Sequence, residues 1–175
     1  KVYGIYVYGG FEENLKLQEG NYIITNANIS YHTGALQVVG VSNIRIEVES
    51  TGNPVTPKAI TSSEWKNIND ELKYRLVQFE SLKVVGGKDD DNTDAYTIYA
   101  ETPDGVRVNI RIDSNVALKV TGIIKNKTWE TFKDMTFTNV TGVIQPYYED
   151  YQLMVMSLDD LGYQKDNQGE NISIK

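Results

Sequence analysis

Cysteine is absent from the sequence, which removes disulfides, thiolate nucleophiles and zinc–sulfur sites together while leaving the redox compartment open. Histidine is nearly absent: His32 stands alone, in the stretch 31–34 that reads as a turn. No GxSxG, HExxH or phosphate-cradling glycine loop occurs anywhere in the chain, so the familiar nucleophile, zinc and nucleotide chemistries have no motif to rest on. Carboxylates do come in pairs, at Glu149-Asp150 and Asp159-Asp160, but neighbours on a strand or turn face different ways. Neither a catalytic site nor a cofactor is expected. Positive charge is also short, with 17 Lys and Arg against 24 Asp and Glu for a net charge of −7. Such a field repels phosphates and counts against DNA or RNA as partner. No apolar run approaches the roughly 18 residues that cross a bilayer, and no signal-peptide pattern opens the chain, so a soluble, mature chain is expected.

What is present is enough for a folded core: 40% of residues are hydrophobic and 23% charged, ordinary globular values. Twelve Tyr stand against four Phe, a tilt that suits half-buried strand surfaces and stacking sites for sugars or bases. The opening KVYGIYVYGG alternates β-branched and aromatic residues and stops at a glycine pair, a strand signature. Further strands are expected over 22–30, over 35–41 after a Thr33-Gly34 turn, and in extended continuation over 43–48, which makes the first fifty residues a meander. Pro54 and Pro57 then remove ladder donors and mark a boundary. We therefore divide the chain into a first unit at 1–53, a second at 54–161 and a polar tail at 162–175 that is mobile or an edge addition.

The second unit opens with the clearest helix signal. Thr61 and Glu64 form a capping box, and Trp65, Ile68 and Leu72 make one apolar stripe, predicting a lead-in helix over 61–73. Strands follow at 76–85, 95–102 and 106–112, and two more at 136–144 and 151–156. Residues 116–124 are a further strand candidate, and 128–135 a short helix capped at Asn126 or Thr128 with Trp129 and Phe132 inward. In the third strand Val106, Val108, Ile110 and Ile112 alternate with Arg107, Asn109 and Arg111, giving one dry and one wet face. The turn Pro103-Asp104-Gly105 fits a three-residue hairpin loop with Gly105 in the left-handed position. That turn fixes the register. It sets Glu101 opposite Arg107, Tyr99 opposite Asn109 and Thr97 opposite Arg111 on the wet face, whereas a slip of one residue would bury the arginines.

A shift of 115 residues lays Ile29 on Ile144, Gln37 on Gln152 and Ser42 on Ser157. The shared order of strand, turn and strand points to an internal repeat, in which the hairpins at 22–41 and 136–156 are the same element.

The stretches GIYVYGG at Gly4 to Gly10, with its following LKL, and VTGVIQPYY followed by YQLMVMSLDDL resemble the OB-fold-like domains of secreted Bacteroidetes lipoproteins, some found beside extracellular nucleases. The similarity rests on Gly4 to Gly10, Val140 to Ile144, Tyr147, Gln152, Leu153, Ser157 and Asp159 to Leu161. It implies a mainly β protein of two OB-like antiparallel β-barrel units, the first incomplete, with one or two short helices. In the second unit the five strands named above would be the barrel, and the first unit would begin at its third strand. Either the chain is a fragment or something else supplies the missing strands. The resemblance also implies an extracellular, cell-surface or periplasmic setting.

The same resemblance implies a ligand groove across the second and third barrel strands, since OB folds bind oligonucleotides and oligosaccharides there. The residues on that wet face are Tyr99, Arg107, Asn109 and Arg111, with Tyr147 and Tyr148 as the opposite rim. Ordinary cross-strand pairing of Glu101 with Arg107 explains part of the same pattern without a ligand. The acidic run 89–94 holds calcium candidates in Asp89, Asp91 and Asp94, although it lacks the spaced Gly and distal Glu of an EF-hand and equally suits a solvated loop. Asn-x-Ser/Thr sequons begin at Asn28, Asn126, Asn139 and Asn171, the first and third of them inside expected strands, which favours chance. Two functions remain open: a non-catalytic binding module for oligonucleotide or oligosaccharide, and a structural module that recruits a protein partner through open strand edges.

Overall fold

A computed structural model describes residues 4–8, 18–25, 28–32, 35–39, 46–114, 128–155, 157, 159–165 and 171–173, and within them the protein is mainly β. The strands are β1 (Tyr6–Tyr8), β2 (Tyr22–Thr25), β3 (Asn28–His32), β4 (Ala35–Val39), β5 (Ile46–Ser50), β6 (Lys58–Ala59), β7 (Leu76–Asp89), β8 (Tyr96–Glu101), β9 (Arg107–Ile112), β10 (Thr136–Tyr147), β11 (Asp150–Met154), β12 (Tyr163–Lys165) and β13 (Asn171–Ser173). One α-helix, α1 (Ser62–Lys66), precedes β7. No described helix is long and apolar enough to cross a membrane.

The largest sheet follows from alternation. β8 reads buried, half-buried, buried along its length, and β9 continues the pattern with Val108, Ile110 and Ile112 inward. The two pair as Glu101↔Arg107, Tyr99↔Asn109 and Thr97↔Arg111, the register expected from the 103–105 turn. In that turn Gly105 has φ of 79° and its N–H donates to the Thr102 carbonyl. Asp104 accepts hydrogen bonds from Thr102 Oγ1 (2.6 Å) and Ser62 Oγ (2.5 Å), which ties α1 to the loop.

Pairing then continues past β9. β11 lies parallel to β9 and antiparallel to β10, and β10 in turn pairs antiparallel with β7. β7 is long enough to serve three neighbours: Leu76 to Lys83 face β10, Val77 and Gln78 also pair with the short parallel β6, and Lys83 to Asp89 face β8 with a register shift between Val84 and Gly86 that bends the strand. The ladder thus runs β7–β8–β9–β11–β10 and returns to β7. Inside it Phe79, Leu82, Ile98, Ile110, Ile144 and Leu153 are buried in one core. Trp65 of α1 packs edge-on against Phe79, with centroids 5.4 Å apart, and its indole N–H donates to the Arg107 carbonyl at 3.0 Å. The short 3-10 helix Trp129–Phe132 plugs another side of the core through Phe132, and the 3-10 turn Asp159–Leu161 contributes buried Leu161.

Several expectations need correction. The lead-in helix spans five residues rather than 61–73. The Thr61–Glu64 capping box forms as expected, but Asn67 leaves helical geometry and the Asn69 side chain accepts from the N–H groups of Glu71 and Leu72, a local alternative that competes with helix propagation. Leu72 is buried all the same. The helix expected over 128–135 is only a 3-10 turn, and Thr128 makes no side-chain cap; instead the Trp129 N–H donates to Asp89 Oδ1 at 3.0 Å. Among the described residues of the first fifty the order is not that of a meander: β1 pairs parallel with β4, β2 pairs with β5, and β3 and β4 form the expected hairpin. Among the described residues of the tail, β12 and β13 pair with each other as a two-stranded sheet. The strand candidate at 116–124, the Asn126 cap and the Thr33-Gly34 turn lie outside the described residues.

Candidate ligand-binding face

The outward surface of β8 and β9 carries four of the expected residues together. Arg107 does not pair with Glu101 opposite it. Its guanidinium lies over the Tyr99 ring, 4.7 Å from the centroid, on the diagonal of the ladder where long side chains reach. Asn109 is directly opposite Tyr99, and Arg111 opposite Thr97, whose hydroxyl it approaches at 3.4 Å.

Arg111 is locked by a bidentate pair to Asp90, with Nη2 to Oδ2 at 2.7 Å and Nη1 to Oδ1 at 2.9 Å. The hydrogen bonds that Arg111 donates to Asp90 raise the Arg111 pKa against the opposing effect of burial, with Asp113 and Tyr147 close enough to add to the effect. Arg111 in turn holds the Asp90 carboxyl below its ordinary value, mainly through the same hydrogen bonds. A carboxylate lowered on folding stabilises the fold above its unfolded pKa, near 3.8, and loses that contribution as pH falls through the lowered folded value. Unfolding measured between about pH 5 and pH 2 should therefore show a shallower acid slope for Asp90→Asn than for the parent. Equal slopes would mean the pair contributes nothing to folding.

The opposite rim is also aromatic. Tyr147 ends β10, Tyr148 sits in the two-residue turn to β11, and the exposed rings meet edge to face with centroids 4.7 Å apart. Tyr148 has φ of 55°, a left-handed conformation that costs a non-glycine residue roughly 1 kcal/mol. Between the rims, Gln152 Nε2 donates to Gln145 Oε1 at 3.0 Å. Both lie on the outward side, because their strand neighbours Ile144 and Leu153 point inward. Sequence reasoning missed this glutamine pair as site residues. The signal was there in β10, where Val140, Gly142, Ile144 and Pro146 are buried while Thr141, Val143 and Gln145 are half-buried.

The calcium candidates fare differently. Asp89 is taken up by the Trp129 backbone, while Asp91 and Asp94 are exposed. Among the described residues no three metal-binding side chains come together. Of two open cavities, one of about 300 Å³ lies away from the β8–β9 face between α1 and Arg75, and one of about 270 Å³ lies at Lys88 and the acidic loop, lined in part by Asp90 at the border of the face. The backbone of His32 is the last residue of β3, at the end of the β3–β4 hairpin.

No protein-family model matches this chain, and no curated protein matches it either. The face must be interpreted from its own chemistry. It presents aromatic edges and amide groups. Of its two cations, one is neutralised by a carboxylate and the other is spread over a ring. An acidic loop borders it.

Proposed function

We propose that β7 to β11 form an OB-type barrel acting as a non-catalytic binding module for oligosaccharide. Residues 54–161 make up this unit, with residues 1–53 as a second, incomplete copy. The observation that carries the reading is the outward face spanning β8, β9, β11 and β10, on which Tyr99, Asn109, Gln152, Gln145 and Tyr147 lie on successive paired strands. Stacked rings beside amide donors and acceptors suit a polyhydroxylated, uncharged ligand, which offers apolar CH faces and hydroxyl groups at once. Electrostatics favours sugar over nucleic acid. Arg111 is already paired to Asp90, Asp91 and Asp94 stand exposed nearby, and the net charge of −7 opposes a phosphate backbone. An extracellular, surface-anchored or periplasmic setting of the lipoprotein kind rests on the resemblance of residues 140–161 to such domains.

The test is retention on a glycan array for the parent and for Tyr99→Ala. The substitution should weaken retention about ten-fold or more while leaving thermal unfolding nearly unchanged, because Tyr99 is only half-buried. Unchanged retention would remove the β8–β9 face from the reading. A salt-dependent mobility shift with single-stranded DNA, in the absence of glycan binding, would replace sugar by oligonucleotide.

A further inference from the structure

Two parts of the chain pair in one register. The shift of 115 residues that lays Ile29 on Ile144 converts each pair of the β3–β4 hairpin into a pair of β10–β11. Asn28↔Val39 becomes Val143↔Met154, Ile29↔Val38 becomes Ile144↔Leu153, and Ser30↔Gln37 becomes Gln145↔Gln152; the two remaining pairs agree as well. The neighbouring strand follows. β1 lies parallel to β4 through Val7↔Val38 and Tyr8↔Val39, as β9 lies parallel to β11 through Ile110↔Leu153 and Arg111↔Met154. The sheet β1-β4-β3 is thus a copy of β9-β11-β10. Under the same shift β2 falls on the part of β10 that pairs with β7, and β2 is paired antiparallel with β5. β5 therefore stands in the place of β7. β8 and the two-residue β6 have no counterpart: among the described residues neither β1 nor β5 has a second strand beside it.

Exposure shows what the gap leaves open. Tyr22 is 57% exposed where its counterpart Phe137 is 2%, and Ile29 is 65% exposed where Ile144 is 0%. Ile5, one step before β1, is 40% exposed against 0% for Val108, and Tyr31 is 76% exposed where Pro146 is buried. These are the core positions of the copied strands. Isolated apolar residues on a surface need no explanation, but here Ile29 and Tyr31 of β3, Ile5 beside β1 and Tyr22 of β2 stand at inward positions of the two small sheets, an interaction surface beside the edges of β1 and β5 that carry no second strand among the described residues.

We infer that this surface accepts an extended segment of a partner polypeptide, inserted antiparallel between β1 and β5 in the position that β8 occupies between β9 and β7. The completed copy defines the chemistry of the occupant. β8 turns Tyr96, Ile98 and Ala100 inward and Thr97, Tyr99 and Glu101 outward, so the guest strand carries apolar residues at alternate positions over about six residues. Backbone hydrogen bonds to β1 and β5 supply affinity, and the apolar set packing over Ile5 and Ile29 supplies register.

The experiment uses the whole chain and a synthetic peptide with the sequence of residues 94–102, DAYTIYAET, beside a scrambled peptide that breaks the alternation. The alternating peptide should bind saturably and slow hydrogen exchange at the β1 amides that point away from β4, while the scrambled one does neither. Ile5→Asp and Ile29→Asp should each weaken binding about ten-fold or more. Both positions are solvent-exposed, so thermal unfolding of the variants reports whether the fold is intact. Absence of saturable binding, or binding indifferent to both substitutions, overturns the proposal. So does self-association of the parent that Ile29→Asp abolishes, since the occupant would then be a second copy of this chain.

Discussion

Truncating Phe132 to alanine is expected to destabilise the protein by about 3–5 kcal/mol, the range for a large aromatic removed from a core that cannot collapse around the loss. Phe132 is 2% exposed and sits on a four-residue 3-10 helix with little rigidity of its own. Its ring stacks on Tyr96, with centroids 6.1 Å apart and planes 25° apart, and meets Phe137 edge-on at 5.8 Å. These contacts join three segments that share no backbone ladder at that point: β8, β10 and the 3-10 turn. Removing the ring leaves a void between two strands whose backbones are held by their own pairings, so the walls cannot close on it. Denaturant unfolding should show a lower midpoint with an unchanged slope. A loss under about 1 kcal/mol would mean that the turn is not a structural plug.

Gly142→Ala is expected to cost about 3 kcal/mol, at the upper end for overpacking by one methyl group. Gly142 lies where β10 passes from β7 to β11, since Val143 pairs with both Leu76 and Met154. A Cβ there would lie 2.7 Å from Leu153 Cγ and 2.8 Å from the Met154 carbonyl oxygen. Leu153 is fully buried, and Met154 is paired with Val143 and Arg111, so neither atom has room to retreat. Gly105→Ala is the useful contrast. Nothing lies within 4 Å of a Cβ at Gly105, and its φ of 79° leaves only the left-handed penalty of about 1 kcal/mol. Thermal unfolding of the two variants separates a packing glycine from a conformational one. Equal losses would show that Gly142 is not a packing constraint.

The β8–β9 hairpin and its outward residues were legible because their information is local. Alternation marks the dry face, and the 103–105 turn fixes the register, so Tyr99, Arg107, Asn109 and Arg111 fall on one surface without any knowledge of the rest of the fold. The same reasoning set Arg107 opposite Glu101, as the ladder does, but a cross-strand position does not decide which neighbour a long side chain takes, and the guanidinium lies on the diagonal ring instead. Asp90 was read only as part of an acidic loop. Its clasp on Arg111 joins residues 21 positions apart, which no spacing rule predicts.

The repeat shows the same division. Three identities at a shift of 115 residues suggested it, and the matching pairs of β3–β4 and β10–β11 give it physical content. Sequence comparison cannot see that β2 pairs antiparallel with β5 as β10 pairs with β7, because the two partners lie on opposite sides in chain order.

What the sequence by itself determined is the mainly β character, the hairpin register at 103–105, the capping box at Thr61 and the face that carries the aromatic and amide groups, all properties set within a few residues by sterics and period-two patterning. Only the tertiary structure decided that the ladder returns from β10 to β7, that Gly142 is the tight point of that return, and that Tyr22, Ile29 and Tyr31 stand uncovered. Each depends on strands distant in sequence competing for the same edge, and that competition is settled by packing rather than by local preference.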